Sequence, residues 1–168
     1  MSKAFTSEEP GDTPPIVRPR APLPAGTANY VTASGLRALH EELAELQAMR
    51  GRIQAHSEAD QRLELAPLAV RIAELEARIA SALVMAAPAT DRGVIRFGAT
   101  VAVRSDDRPE RVYRIVGVDE ANAARGTIAF VSPLARALLG KRAGDIVNLS
   151  TPRAVEELEI TKVTYDPS

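Results

Sequence analysis

The chain has 168 residues, enough for one average domain or two small ones, and its 45% hydrophobic and 26% charged residues are the balance of an ordinary water-soluble protein. A formal net charge of −1 argues against wrapping nucleic acid through bulk positive charge, and zero cysteines exclude a disulfide framework and a thiolate metal site. No apolar run approaches the roughly eighteen residues of a membrane span, and residues 1–9 lack the apolar stretch of a secretory signal, so a cytoplasmic location is expected.

Residues 1–29 hold half of the twelve prolines, interspersed with Gly, Ser, Thr and mixed charge. Such a segment buries too little apolar surface to offset its ordering entropy, and a disordered proline-rich arm is expected there. From Thr32 the pattern changes. Thr32 or Ser34 is a ready N-cap, followed by Leu36, Leu39, Leu43, Leu46, Met49 and Ile53 at helical spacings of three and four. A second stripe follows the same spacing through Leu65, Leu68, Ile72, Leu75 and Ile79 to Ala82–Leu83, with Glu and Arg on the flanks. Two stripes of similar length joined by a polar stretch predict an antiparallel coiled-coil hairpin over residues 30–85. Their midpoint puts the tip near Asp60. Pro67 belongs in the first turn of the second helix, which pulls the turn toward Glu64; otherwise it kinks that helix. Arms of about 25 residues would project on the order of 35–40 Å. Because the stripes pair within one chain, a monomer is expected.

Residues 86–93 read as a linker. Beyond them the period drops to two. Ile95, Phe97 and residues 100–103, 112–118, 127–131, 145–149 and 157–163 read as strands, with a turn at Asp106–Asp107–Arg108–Pro109. One helix interrupts them at 132–139. Ser132 is its N-cap, Pro133 stands at the first helical position, Gly140 supplies the C′ residue, and Lys141–Arg142 lie at the negative end of its dipole. The fold class is therefore α+β: a helical hairpin, then a small sheet domain with one short helix over residues 94–168. Little here suggests chemistry of its own. His40 and His56 have no partner His or Cys for a metal site, residues 140–144 lack phosphate-loop spacing, and no cofactor is expected.

The order of side chains is more specific than their periodicity. The blocks Arg96-Phe97-Gly98-Ala99-Thr100-Val101, Tyr113-Arg114-Ile115-Val116-Gly117-Val118-Asp119-Glu120-Ala121, Gly126-Thr127-Ile128, Ser132-Pro133-Leu134-Ala135-Arg136-Ala137-Leu138-Leu139-Gly140-Lys141 and Gly144-Asp145 resemble the C-terminal domain of the Gre family of bacterial transcription elongation factors, the GreA/GreB superfamily. Thr32, Gly35, Leu39, Glu42, Leu43 and Leu46 are similar to the opening of that family's hairpin. The resemblance covers about residues 28–166. It implies an FKBP-like sheet domain that docks on the rim of the secondary channel of RNA polymerase. The hairpin would point into the channel, so contact with the rest of the transcription complex would be indirect. It also carries the docking role to Ser132 and Pro133, with Val131 where GreB-like relatives have an acidic residue.

The tip departs from the family. Gre factors carry an acidic tip motif whose Asp and Glu help to hold a second Mg²⁺ in the polymerase active site, and this chain lacks it. The acidic groups nearest the turn are Glu58, Asp60 and Glu64. Against the family, the hairpin is about fifteen residues short, some seven per arm, or on the order of 10 Å of reach. That length is similar to Rnk-type relatives. The expected function is thus a secondary-channel regulator that is not itself an enzyme and does little to promote transcript cleavage. Two alternatives stand beside it: a cleavage stimulator using Asp60 or Glu58, and a protein-recruitment module whose coiled coil serves dimerisation.

Overall fold

A computed structural model describes residues 20–55, 58–106, 108–152 and 154–166 and, within the second helix, side chains from Glu64 onward. The chain enters through a short strand, β1 (Asn29–Val31), and a long helix, α1 (Ala33–Gln54). It returns through α2 (Glu58–Ala80) into a second short strand, β2 (Ala82–Val84). Thr32 is the N-cap of α1: its extended backbone leaves the side-chain oxygen free to accept the Gly35 N–H at 2.9 Å, which satisfies one of the donors a helix start leaves open. Leu39, Leu46, Leu68, Ile72 and Leu75 are buried between the helices, with Leu43, Ile53 and Ile79 packed against them. This is the expected seam.

Three details differ from the expected hairpin. α1 ends at Gln54 and α2 already begins at Glu58, so Asp60 lies within the second helix. Pro67 is consequently inside α2, not in its first turn, so the Leu63 carbonyl has no N–H four residues on to accept from. And α2 ends at Ala80, so Leu83 belongs to β2 and is half exposed, while Met49 lies at the edge of the seam at 38% exposure. Helices of 22 and 23 residues span about 33–35 Å, the lower end of the reach expected from periodicity.

Neither β1 nor β2 was visible as periodicity, being three residues each. They pair in parallel, Asn29 opposite Ala82 and Val31 opposite Val84, and bind the two feet of the hairpin together. Asn29, buried, donates from its side-chain amide to the Arg78 carbonyl (2.8 Å) and to Ser81 Oγ (3.1 Å), satisfying the open end of α2.

The second unit is a five-stranded mixed sheet. Its strands are β3 (Ala99–Ser105), β4 (Arg108–Val116), β5 (Thr127–Ala129), β6 (Ile146–Ser150) and β7 (Val155–Tyr165), in the order β5-β4-β3-β7-β6, with only the β4–β5 pair parallel. The helix α3 (Pro133–Leu138) follows β5. Alternation along the strands sends Val101, Val103, Ile115, Leu158 and Ile160 to one face, where Ala135 and Leu138 of α3 close the core. Residues 94–97 are not a strand, although Ile95 is fully buried there and exchanges backbone hydrogen bonds with Gly140 and Lys141 at the end of α3.

Candidate functional site

The residues singled out in the sequence fall into two places. Ser132 and Pro133 sit together at the start of α3. Ser132 has an extended backbone and its hydroxyl oxygen accepts the Ala135 N–H at 3.2 Å, while Pro133 occupies the first turn and is exposed. Behind them Leu138 and Ala135 are fully buried and Leu134 and Leu139 partly so, which leaves Pro133 and Arg136 facing solvent. Gly140, with φ of +82°, takes the left-handed conformation that ends the helix. The surface at Ser132–Pro133 is thus held by a cap in front and a core behind.

Glu58 and Asp60 lie in the first turn of α2, and their side chains fall outside the described residues, as do His56 and Ser57 altogether. Glu64 is exposed in the second turn. The three carboxyl candidates therefore share the far end of the hairpin, while Ser132 and Pro133 belong to the sheet unit. Among the described residues no group of three His, Cys, Asp or Glu stands close enough to hold a metal ion.

Between these two places is a polar joint: the sequence marks Thr32 as a cap but gives no sign that it pairs with Glu120. After β4 the chain makes a tight 3₁₀ turn at Val118–Glu120. There the Glu120 carboxylate accepts the Thr32 N–H at 3.0 Å and the Gly117 N–H at 3.1 Å, and it also accepts the Thr32 hydroxyl in a short hydrogen bond. The cap of α1 is thereby bonded to the sheet unit. Space is as restricted as charge: a Cβ at Gly35 would overlap the Glu120 side chain, and one at Gly117 would run into the Tyr30 carbonyl.

Beside this joint three rings meet. Tyr30 of β1 lies 5.4 Å from Phe130 and 6.1 Å from Phe97, with Phe97 and Phe130 5.7 Å apart at 71°, the edge-to-face geometry aromatic rings prefer. Phe130 is two residues before Ser132, so the foot of the hairpin and the start of α3 rest on one aromatic cluster.

On the other side of the turn, Asp119 is paired with Arg20 at 2.8 Å and Arg78 at 3.5 Å, and Arg20 also reaches Glu42 at 2.5 Å. Burial pulls the Arg20 pKa down, but its hydrogen bonds to Glu42 and Asp119 more than offset this and leave it above its ordinary value. Arg20 and Ala21, which composition assigns to the arm, thus make specific contacts here, and residues 1–19 lie outside the described part of the chain. The one local hint of the joint was a glycine at residue 35, in the first turn of a helix that Gly disfavours. Nothing in local spacing pairs Thr32 with a residue 88 positions later.

Residues 89–165 match the family described as "Transcription elongation factor, GreA/GreB, C-term". The chain is 34% identical over 151 residues to transcription elongation factor GreA of Phenylobacterium zucineum (strain HLK1), across 80% of this chain and 96% of that protein. It is 38% identical to the GreA of Jannaschia sp. (strain CCS1) with the same coverage. A GreA/GreB elongation factor structure from Nitrosomonas europaea overlays with a TM-score of 0.42 at 22% identity, over 81% of this chain and 98% of that one. The 151 matched positions take up only 80% of 168 residues, about 134, so about 17 positions of the GreA relative have no counterpart here.

Proposed function

The chain belongs to the GreA/GreB family of transcription elongation factors, and from that membership we propose that it regulates elongation by occupying the secondary channel of RNA polymerase without strongly promoting transcript cleavage. In this reading residues 94–168 dock on the channel rim through Ser132 and Pro133, and residues 30–85 enter the channel as the hairpin of a monomer. The capped, core-backed start of α3 supports the docking half: it presents Pro133 on a surface that binding need not reorder.

Hairpin length carries the other half. The helices have 22 and 23 residues, and about 17 positions of the GreA relative are missing from this chain. Shared between two antiparallel arms, such a deletion shortens the reach by on the order of 10 Å. Mg²⁺ holds its oxygen ligands at about 2.1 Å, so carboxylates withdrawn that far do not fit a metal-delivering role. Glu58, Asp60 and Glu64 would bias the field in the channel without entering a metal's coordination shell.

The test is transcript cleavage on backtracked elongation complexes with the purified protein in excess, followed by competition against an active GreB. The expected result is little or no cleavage together with concentration-dependent loss of GreB-stimulated cleavage, unchanged by Asp60→Asn or Glu58→Gln. Robust cleavage that disappears in Asp60→Asn would make the chain a cleavage stimulator instead. Absence of any polymerase binding would leave a recruitment module.

A further inference from the structure

We propose that the segment around Arg20 is a strap that sets the direction in which the hairpin leaves the sheet unit, with Arg20 and Asp119 as positioning residues; its effect on transcription rests on the channel reading above. The contacts form a closed ring. Arg20 Nη1 donates to Asp119 Oδ1 at 2.8 Å and Arg20 Nη2 to Glu42 Oε2 at 2.5 Å. Arg78 Nη1 stands 3.5 Å from Asp119 Oδ2, and Arg78 Nη2 donates to the Ala21 carbonyl at 2.7 Å. The strap is tied to α1, to α2 and to the 118–120 turn, and α2 is tied to that turn in its own right. The planar fork of an arginine is suited to bridging two carboxylates in this way.

The ring has a different duty from the joint at Glu120. Thr32, Gly35 and Tyr30 all touch the sheet unit at one foot of α1, and attachment at one foot defines a pivot. The second attachment, at Glu42 and Arg78, turns the pivot into an angle. It is also sensitive to loss of the strap. The Asp119 side chain is 4% exposed, and without Arg20 its charge would keep only the longer contact to Arg78 in a place nearly shut to water, an unfavourable arrangement. A hairpin swung to let water reach Asp119 would relieve it. The family match spans residues 89–165, so the strap lies outside it.

The chain has no cysteine, so paired labels are easily placed. With Arg50→Cys near the far end of α1 and Asn148→Cys on β6, both exposed, spin-label distances can be measured on the free protein. The expected result is one narrow distribution in the labelled parent. Arg20→Ala should at least double its width or add a second distance, with helicity and thermal midpoint little changed, and Arg20→Lys should fall between. On polymerase, Arg20→Ala should lower the plateau of competition while leaving the half-saturating concentration near that of the parent, because docking belongs to α3. A distribution that stays narrow in Arg20→Ala overturns the strap whatever the polymerase result. Should Arg20→Ala fail to fold, Glu42→Ala cuts the strap from α1 while Asp119 stays paired; broadening there supports the proposal and an unchanged width overturns it.

Discussion

The carboxylate of Glu120 occupies the space in which a side chain at residue 35 would stand. It is held there by Thr32, the residue that caps the same helix. Cap, glycine and carboxylate form one unit, in which the helix start is completed by a residue of the other structural unit. The sign of a glycine substitution is therefore set by tertiary contact. In an isolated helix Gly→Ala gains about 1 kcal/mol.

Gly35→Ala should instead destabilise the protein by about 2 kcal/mol, the scale of an overpacked and partly unpaired buried carboxylate. In a Glu120→Ala background the same substitution should be neutral or stabilising. Chemical denaturation of the four proteins in that cycle checks it. Additive effects would mean that Glu120 does not fill the space over Gly35 in solution.

Tyr165 closes the other end of the sheet unit. Its hydroxyl donates to the Val94 carbonyl at 2.6 Å and accepts the Arg96 N–H at 2.9 Å, bracketing the buried Ile95. Tyr165→Phe leaves both backbone groups without their partner and should cost about 1–3 kcal/mol. Burial raises the phenol's pKa, opposed in part by the Arg96 hydrogen bond. A raised value in the folded state means that this contribution is intact below the ordinary phenol value of about 10. It is lost as pH rises through the folded value. The stability difference between wild type and Tyr165→Phe should therefore be flat from neutral pH to about pH 10 and shrink above it. A difference that grows with alkalinity would contradict this assignment.

The seam of the hairpin, the strands and the punctuation of α3 are all legible in the sequence because each rests on local periodicity or a cap. Leu39, Leu46, Leu68, Ile72 and Leu75 follow from spacing alone, and Ser132, Pro133 and Gly140 from the chemistry of helix ends. The midpoint of the two stripes puts the tip a few residues late, near Asp60, and a first-turn place for Pro67 would move it later still; the packing of Leu68 and Ile72 into the seam holds the proline mid-helix instead. The joint was invisible for another reason: Glu120, Asp119 and Arg20 are ordinary surface charges until the fold brings residues 20, 42, 78 and 119 together. β1 and β2 are too short to show a period, and each exists as a strand only because the other pairs with it.

Pro67 lies in the interior of α2 yet is exposed, next to the buried Leu68. Removing a proline from such a site restores one backbone hydrogen bond and relieves the ring's clash with the preceding turn, up to about 3 kcal/mol of helix propensity. Pro67→Ala should raise helicity and slow amide exchange over residues 58–66, with no change in exchange within the sheet unit. Faster exchange in that stretch would show that the proline's fixed φ stabilises the turn beside the tip.

The docking surface gives the last prediction. The missing N–H of Pro133 costs the α3 hydrogen-bond ladder nothing, since the first helical N–H is unpaired in any helix, and the residue is exposed. Pro133→Ala should therefore leave the fold nearly untouched, with Leu138 and Ala135 still anchoring α3 in the core. Ser132→Glu replaces the short cap hydroxyl and adds a charge and a longer side chain to the same surface. Both variants should keep the parent's circular dichroism while weakening capture by core RNA polymerase, Ser132→Glu the more strongly because it also clashes; Pro133→Ala should keep the thermal midpoint, and Ser132→Glu should lower it slightly through loss of the cap. Arg104→Ala offers the contrasting case. Its guanidinium pairs with Glu159 at 2.7 Å on the outer surface of the sheet, an exposed pair of the kind that contributes little. Polymerase capture by this variant should match that of the parent. Equal capture by all four proteins would show that α3 is not the face that meets the polymerase, while loss in Ser132→Glu and Arg104→Ala but not in Pro133→Ala would point to net charge rather than to this surface.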